Sequence, residues 1–252
     1  MKKICIIPAR LAASRFPNKP LALISGLSMI GHICKRVALS KDLDEVIVAT
    51  CDQEIVEHVE SLGFKAVMTS NKHERCTDRI EEAVANLEEK LSDDDVVIMV
   101  QGDEVLVRPE MIDEMINSIA VEKYPIVNLV CKITDVKYFK DPNAIKIVSN
   151  RKKEALYLSR SAIPSDAKTL SDNLWQQTGI IGFQKSFLEK FGKLEPTPLE
   201  KIESIDMLRV LEHGYSLALV ETMFQLIGVD NQSDLKDVEE ILKTDPLVKE
   251  YM

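Results

Sequence analysis

The sequence predicts an α/β fold with a mostly parallel central sheet, helices on both faces and a smaller antiparallel extension. Through the first half of the chain, short β-branched apolar runs alternate with segments of helical periodicity. The run at 96–100 is apolar at every position, which is typical of a strand covered by helices on both faces. After Pro125 the pattern changes to short strand candidates joined by polar loops, which predicts the antiparallel extension.

The elements follow in order from the local pattern. We predict parallel strands at 4–7, 46–49, 66–68 and 96–100, and helices around 29–39, 55–62 and 80–87, of which Gly63 closes the second. Short strands are predicted at 126–131, 144–148, 155–158 and 179–183. A helix at 202–211, a strand at 217–220 and a last helix at 233–243, with Ser233 as its N-cap, follow. The pattern indicates one domain over 1–252, in which about 125–190 includes the extension.

Composition limits the classes of function. A net charge of −9 argues against a general nucleic-acid binder, and local cations on an acidic body suggest a small anionic ligand. The five cysteines contain no C-x-x-C pair, which indicates a reducing compartment. The N-terminal apolar run is too short for a signal peptide, and no segment has the length of a membrane span. We therefore expect a cytoplasmic protein with no membrane and no nucleic-acid partner.

A cationic loop follows the first predicted strand. It contains Arg10, Ser14, Arg15 and Lys19. Cations on a loop at the carboxyl end of a buried strand are typical of a phosphate site in an open α/β sheet. The loop lacks the glycine patterns of a P-loop or a dinucleotide fold, so phosphate capture would depend on side-chain charge. The alternative is a basic surface loop after a core strand.

Two aspartates follow apolar segments further along the chain. Asp103 lies in the motif Gln101-Gly102-Asp103-Glu104, directly after the run at 96–100, and Asp230 ends Gly228-Val229-Asp230. Two separated carboxylates together with substrate oxygens are a usual arrangement for Mg²⁺. The alternatives are a simple turn after the strand for Asp103, and a turn residue or helix cap for Asp230.

Two further polar segments are candidates for substrate contacts. Thr77 opens the third predicted helix, where it would either cap the helix or present a polar group to a base or ribose. Arg160 ends a predicted strand, where it would clamp a carboxylate or face solvent. The four histidines have no spaced metal partner, and no Ser/His/Asp or Cys/His arrangement supports covalent catalysis.

Taken together, these segments resemble one family. The matching blocks include Pro8-Ala9-Arg10, Ser14-Arg15-Phe16-Pro17, Lys19-Pro20-Leu21, Thr77-Asp78-Arg79, Gln101-Gly102-Asp103-Glu104, Asp141-Pro142-Asn143-Ala144, Ser159-Arg160, Pro198-Leu199-Glu200, Ile202-Glu203, Leu208-Arg209 and Gly228-Val229-Asp230. In this order they resemble the CMP-KDO synthetases, the 3-deoxy-manno-octulosonate (KDO) cytidylyltransferases, from residue 4 to about 240.

The resemblance implies a Rossmann-like nucleotidyltransferase with Mg²⁺ as cofactor and an extension used in homodimerisation. The implied reaction joins CTP to an acidic sugar by in-line attack on the α-phosphorus, and it releases pyrophosphate. By analogy, the catalytic residues are Arg10, Lys19 and Asp103; the CTP-binding residues are Ala9, Arg10, Ser14, Lys19, Thr77 and Gln101; the acceptor-binding residues are Arg15, Arg160, Gln177, Glu203 and Asp206; and the Mg²⁺ ligands are Asp103 and Asp230.

The sequence departs from the family pattern in the implied acceptor pocket. Gln177, Ile181 and Met207 stand where the family usually has His, Tyr and Gln. Near the nucleotide, Arg75-Cys76 replaces Ser-Gly, and after Asp230 the residues Asn231-Gln232 replace Thr-Pro.

Loss of hydrogen-bonding groups from a pocket for a polyhydroxylated acid is costly, so we expect plain KDO to be a poor acceptor or not the native one. The alternatives are transfer to another acid (an amino-KDO, a nonulosonate or a phosphonate) and a non-catalytic nucleotide-binding homologue. The presence of Arg10, Lys19, Asp103 and Asp230 argues against the second.

Overall fold

The computed structural model describes residues 1–12, 16–165 and 174–252. In these ranges the strands are β1 (Lys3–Ala9), β2 (Leu23–Ile24), β3 (Leu27–Ser28), β4 (Glu45–Thr50), β5 (Lys65–Met68), β6 (Val96–Val100), β7 (Ile126–Lys132), β8 (Lys146–Ser149), β9 (Ala155–Ser159), β10 (Trp175–Gln184) and β11 (Ala218–Thr222). The helices are α1 (Met29–Val37), α2 (Gln53–Ser61), α3 (Cys76–Ala85), α4 (Pro109–Ala120), α5 (Val136–Lys140), α6 (Lys185–Gly192), α7 (Pro198–Glu203), α8 (Met207–Glu212), α9 (Gln232–Leu242) and α10 (Val248–Tyr251). A 3₁₀ turn spans Lys19–Leu21.

The main sheet has the strand order β11-β7-β10-β6-β1-β4-β5. The neighbours β6, β1, β4 and β5 are parallel, as are β7 and β11. Strand β10 is antiparallel to β6 and β7. Strands β8 and β9 add a small antiparallel part beside β10. The prediction of a mostly parallel sheet with a smaller antiparallel part is therefore confirmed.

Alternate residues of the central strands face two separate hydrophobic clusters. On β1, Cys5 and Ile7 pack on the side of α1 and α4, whereas Ile4 and Ile6 pack on the side of α3 and α6. This alternation follows from the two-residue period of a strand. Because helices cover both faces, β6 consists only of buried apolar residues.

The structure differs from the predicted elements at the two ends of the segment that follows Pro125. Strands β7 and β10 belong to the main sheet, and only β8 and β9 lie beside it. The first six residues of β7 are all buried, as expected for a central strand rather than for a peripheral hairpin.

Residues 109–120 form the long helix α4, which begins with Pro109 at a position that suits proline.

Two predicted helix features were wrong. The single helix expected at 202–211 is two helices, because Ser204 adopts a left-handed conformation with φ of 55° and ends α7. The last helix is capped by Asn231 rather than Ser233, since the Asn231 side chain accepts hydrogen bonds from the backbone N–H groups of Ser233 and Asp234. No helix in the described ranges has both the length and the apolar character needed to cross a membrane.

Candidate active site

A polar cleft of about 450 Å³ opens at the carboxyl end of β6 and along the neighbouring strand β10. Its lining includes Gln101, Asp103 and Glu104 after β6, residues 176–179 of β10, residues 204–207 between α7 and α8, and Gly228 and Asp230 before α9. This edge is where an open α/β sheet binds ligands.

Gly102 allows the loop after β6 to approach β1 closely. A Cβ atom added at Gly102 would lie 2.8 Å from the carbonyl oxygen of Pro8 and 3.9 Å from Ala9. Since a side chain at this position would collide with main chain, glycine is required for this approach. The close contact brings Asp103 to the end of the strand that carries Ala9 and Arg10.

Lys19 joins the two segments that carry the predicted metal ligands. Its Nζ atom lies 3.1 Å from Oδ2 of Asp103 and donates a 2.7 Å hydrogen bond to the carbonyl oxygen of Val229. The backbone N–H of Val229 also donates to the carbonyl oxygen of Asp103, at 3.2 Å. The structure therefore brings Lys19, Asp103 and the chain around Asp230 together at one end of the cleft.

Asp103 and Asp230 suit Mg²⁺ by their chemistry, because both line the cleft and both supply hard oxygen ligands. In the part of the chain that the structure describes, no group of three or more His, Cys, Asp or Glu residues is arranged to hold a metal ion. A magnesium ion here would complete its coordination with water and substrate oxygens, as this ion commonly does. Asn231 provides the cap of α9, so Asp230 is not needed for that role.

The predicted nucleotide-binding residues lie in different surroundings. Arg10 is exposed at the end of β1 and donates to the carbonyl oxygen of His73 at 3.4 Å. Thr77 is fully buried, and its hydroxyl donates to Oδ2 of Asp206 at 3.0 Å, so it contacts a cleft residue rather than the cleft itself. Ala9 is buried at the end of β1, whereas Gln101 lines the cleft. Ser14 and Arg15 lie outside the described residues.

Arg160 and Glu203 form one connected unit. The Arg160 guanidinium donates to the carbonyl oxygens of Glu203 (2.7 Å), Pro142 (3.1 Å) and Ser204 (3.2 Å), and the side chain lines the cleft. The Glu203 carboxylate accepts from the Arg160 backbone N–H at 2.8 Å and from the Ser159 hydroxyl at 2.7 Å. Burial acts to raise the pKa of Glu203, but these hydrogen bonds outweigh it and the pKa is lowered. Arg160 is thus fixed by main chain instead of extending freely into solvent.

Asp206 lies at the base of the same side of the cleft. Its carboxylate is 3.4 Å from Arg75 and accepts the hydrogen bond from Thr77. Burial raises the pKa of Asp206, and the positive charge of Arg75 opposes this. The three positions at which the sequence departs from the family pattern, Gln177, Ile181 and Met207, all line this cleft.

Sequence reasoning missed Lys146 as a residue that shapes the site. Its side chain is fully buried, and its Nζ donates to the carbonyl oxygens of Asp141 (2.7 Å), Ala144 (2.5 Å) and Arg160 (2.6 Å). Burial lowers the pKa of Lys146. The lysine therefore connects the loop before β8 to Arg160, the residue that follows β9. In the sequence, the signal for Lys146 is its position two residues after the block Asp141-Pro142-Asn143-Ala144, which matches the family.

Glu104, quoted only as part of a motif, is also a site residue. Its buried carboxyl group accepts a 2.6 Å hydrogen bond from the N–H of Gly179 through Oε1, and Oε2 has no hydrogen-bond partner. Burial and the neighbouring charge of Asp103 raise the pKa of Glu104 to about 7.

Gly179 belongs to a bulge in β10. Gln177 pairs with Val130 and Ile181 pairs with Asn128, so β10 advances four residues while β7 advances two. The Thr178 hydroxyl donates to the carbonyl oxygen of Leu129 at 2.8 Å. The bulge turns this part of β10 toward the cleft, in keeping with the frequent position of bulges beside active sites.

Comparison with known proteins gives nearly full-length matches. Residues 4–223 match the family model described as cytidylyltransferase. A 3-deoxy-manno-octulosonate cytidylyltransferase from Thermodesulfovibrio yellowstonii is 41% identical over 253 residues, with 97% of this chain and 99% of that protein covered. An 8-amino-3,8-dideoxy-manno-octulosonate cytidylyltransferase from Shewanella pealeana is 37% identical, with 97% and 100% covered.

A solved structure gives the same assignment. The CMP:2-keto-3-deoxy-manno-octonic acid synthetase complexed with CTP has a TM-score of 0.87 and 31% sequence identity, and the alignment covers 96% of this chain and 99% of that one. The resemblance in sequence blocks thus extends to the whole fold. This chain belongs to the cytidylyltransferase family and is a nucleotidyltransferase.

Proposed function

We propose that this enzyme joins CTP to 3-deoxy-manno-octulosonate or a closely related acidic sugar, giving a CMP-sugar and pyrophosphate. The observation that carries the proposal is the junction of Lys19, Asp103 and Val229 at the open sheet edge. It combines a cation for phosphate with carboxylates for a divalent metal beside a cleft of substrate size. Relatives named for this reaction match nearly the whole chain.

The reaction we propose is a direct in-line transfer. The acceptor hydroxyl oxygen forms a bond to the α-phosphorus of CTP, while the bond from that phosphorus to the pyrophosphate oxygen breaks and the hydroxyl proton is released. Such a transfer needs positioning and charge neutralisation more than a protein nucleophile. Lys19 and Arg10 would neutralise the phosphates and the departing pyrophosphate.

Asp103 and Asp230 would hold Mg²⁺. When bound there, the ion supplies charge neutralisation at the phosphate and orients the reacting groups. Lys19 would exchange its contact with Asp103 for the phosphates, leaving the carboxylate for the metal. Arg160, fixed by three carbonyl oxygens, would offer its remaining N–H groups to the carboxylate of the acid.

A second candidate is transfer to a different acid. The observation that favours it is the position of Gln177, Ile181 and Met207, which differ from the family pattern and all line the cleft. The relative from Shewanella pealeana is named for an 8-amino sugar acid, so acceptor changes occur among proteins of this similarity. A non-catalytic homologue is disfavoured because Asp103 and Asp230 line one cleft and Lys19 pairs with Asp103.

We also propose that the protein forms a homodimer and works in the cytoplasm. Two exposed apolar side chains support a dimer: Leu156 on β9, in the extension, is 61% exposed, and Ile202 on helix α7 is 77% exposed. Light scattering after gel filtration should give twice the chain mass, and Leu156→Glu should shift the protein toward monomer. All five cysteines are free thiols, which fits a reducing compartment.

The test of the reaction is pyrophosphate release from CTP with Mg²⁺ and KDO, compared with the same mixture without acceptor. We expect release that depends on acceptor, metal and CTP, together with a CMP-sugar detected by mass spectrometry. UTP and ATP are the matched nucleotide controls. Absence of release with KDO, its 8-amino analogue, nonulosonates and small phosphonates would contradict the proposed function.

A further inference from the structure

A fully buried asparagine lies behind the bulge of β10. Asn128 is in the middle of β7, among apolar neighbours, and is 0% exposed. Its Nδ2 lies 3.1 Å from the carbonyl oxygen of Leu129, 3.2 Å from that of Thr178 and 3.1 Å from that of Ile180. Carbonyl oxygens only accept hydrogen bonds, so the NH₂ group of Asn128 must face them. These contacts fix the orientation of the amide.

The fixed amide in turn orients Gln177. Oδ1 of Asn128 can only accept, and Nε2 of Gln177 donates to it at 2.6 Å. The reverse orientation of Gln177 would place two oxygens against each other inside the protein. Gln177 lines the cleft, so its amide oxygen Oε1 and the second N–H of Nε2, which Asn128 does not use, are the groups that it has for a ligand.

We propose that Asn128 is a positioning residue for the acceptor substrate, because it fixes the orientation of the Gln177 amide at the cleft. This inference rests on the proposed function. With one N–H of Nε2 held by Asn128, the Gln177 amide keeps Oε1 as an acceptor and one N–H as a donor, both in a fixed orientation. It favours a hydroxyl of the acceptor at this point, since a hydroxyl can pair with either group, and disfavours an apolar substituent.

The same side chain stabilises the bulge that shapes the cleft. Two of its three carbonyl partners, Thr178 and Ile180, lie in the bulged part of β10, where the regular pairing with β7 is interrupted. Thr178 satisfies further groups of the bulge through its hydroxyl, which accepts from the N–H of Ile180 at 3.3 Å. A purely structural role would affect stability, whereas the proposed role also affects use of the acceptor.

The test is a double-mutant cycle on the full-length enzyme with the best acceptor of the panel above. We expect Gln177→Met to lower kcat/KM for the acceptor by about tenfold while leaving the KM for CTP unchanged. Asn128→Ala should have a similar effect on the acceptor. The double variant should be no worse than Gln177→Met alone, since Asn128 acts on the acceptor through Gln177.

A matched control separates stability from positioning. Thr222 is a buried polar residue on the adjacent strand β11, and its hydroxyl accepts from the N–H of Phe224. Thr222→Ala should lower the melting temperature without changing the KM for the acceptor. If Asn128→Ala does not fold, Asn128→Ser replaces it in the double-mutant cycle. The serine hydroxyl keeps one donor for the carbonyl oxygens.

The outcomes are distinct. Unchanged acceptor kinetics in Gln177→Met, which does not depend on any Asn128 variant, would overturn the inference. Additive effects of the two substitutions on acceptor use would overturn it as well. An active wild type with either result contradicts only this inference, whereas a wild type that is inactive with every acid contradicts the proposed function and the inference with it.

Discussion

Lys19 and Asp103 form an ion pair, with Nζ 3.1 Å from Oδ2, between residues 84 positions apart in the chain. Both side chains are mostly buried, with 16% and 25% exposure, so the pair is shielded from solvent more than a surface pair would be. In this arrangement each group neutralises the other. Under the proposed function, a triphosphate and its metal would give both groups new partners, which would tie nucleotide binding to a local rearrangement.

Asp103→Asn should abolish turnover and leave the fold intact. The change keeps the size of the side chain but removes the charge that would bind the metal, and we expect a loss of about 10³-fold or more in kcat. The measurement is Mg²⁺-dependent pyrophosphate release, with a melting curve to check folding. Asp42→Asn, an exposed aspartate outside the cleft, is the matched control. Near-normal pyrophosphate release by Asp103→Asn would show that Asp103 is not a metal ligand.

Lys19→Met should weaken the use of CTP sharply. The substitution keeps the apolar stem but removes the ammonium that we propose neutralises the phosphates of CTP, so we expect a rise in the KM for CTP of about tenfold or more. Calorimetric titration of CTP into the inactive Asp103→Asn enzyme, with and without Lys19→Met, checks binding separately from turnover. The exposed Lys41→Ala serves as control. Equal CTP affinities with and without Lys19→Met would mean that Lys19 only connects the loops that carry Asp103 and Val229.

Removal of the Lys146 ammonium should destabilise the protein. Lys146→Met leaves three carbonyl oxygens without their donor in a buried place, and we expect a loss of about 2–4 kcal/mol in the free energy of unfolding. Urea denaturation measures this change. Lys152→Met, at an exposed position of the turn between β8 and β9, should change stability by less than about 0.5 kcal/mol. Similar stability of Lys146→Met and Lys152→Met would show that the hydrogen bonds of the buried Lys146 ammonium do not stabilise the fold.

His32 should make stability depend on pH below neutrality. Its Nε2 donates to the carbonyl oxygen of Ile24 and its Nδ1 accepts from the Tyr251 hydroxyl, so the neutral ring satisfies both partners. Burial lowers the pKa of His32 below 6.5. The unfolded chain therefore binds the extra proton first, and stability falls as the pH drops from 6.5 toward the lowered value.

The measurement for His32 is the free energy of unfolding at several pH values between about 5 and 8. The variant His32→Gln should be less stable overall but should lose less stability on acidification than the wild type. His213→Gln, at an exposed histidine, should keep the wild-type slope. Identical slopes in wild type and His32→Gln would show that His32 does not carry this dependence.

The identity of the acceptor gives a further prediction. Gln177, Ile181 and Met207 stand where the family usually has His, Tyr and Gln. Ile181 and Met207 have no group there that hydrogen-bonds well, and each lost hydrogen bond to a buried hydroxyl should cost about 1–3 kcal/mol. We expect plain KDO to have a low kcat/KM compared with an acid that suits this pocket. The measurement compares KDO, the 8-amino analogue, nonulosonates and small phosphonates under the same conditions. High efficiency with KDO would mean that the pocket has repacked around the same sugar.

The sequence by itself determined the parallel core and the edge of the sheet at which the candidate site lies. The apolar run 96–100 followed directly by Gln101-Gly102-Asp103-Glu104 locates a carboxylate at a strand end, and local periodicity is sufficient for that prediction. Ordered blocks along the chain identified the family. The functional roles of the site residues stay predictions, and Ser14 and Arg15 lie outside the described residues.

Only the tertiary structure decided that β7 and β10 pair within the main sheet and that Asn128 contacts Gln177. In the sequence, Asn128 is one polar residue in an apolar strand, and nothing local shows that it faces the bulge 49 residues later. The bulge arises from pairing between distant strands, and Lys146 finds its carbonyl partners only when the loop before β8 meets the end of β9. Hydrophobic periodicity is a local property and can be read from the chain, whereas buried polar groups are satisfied by partners that only folding brings together.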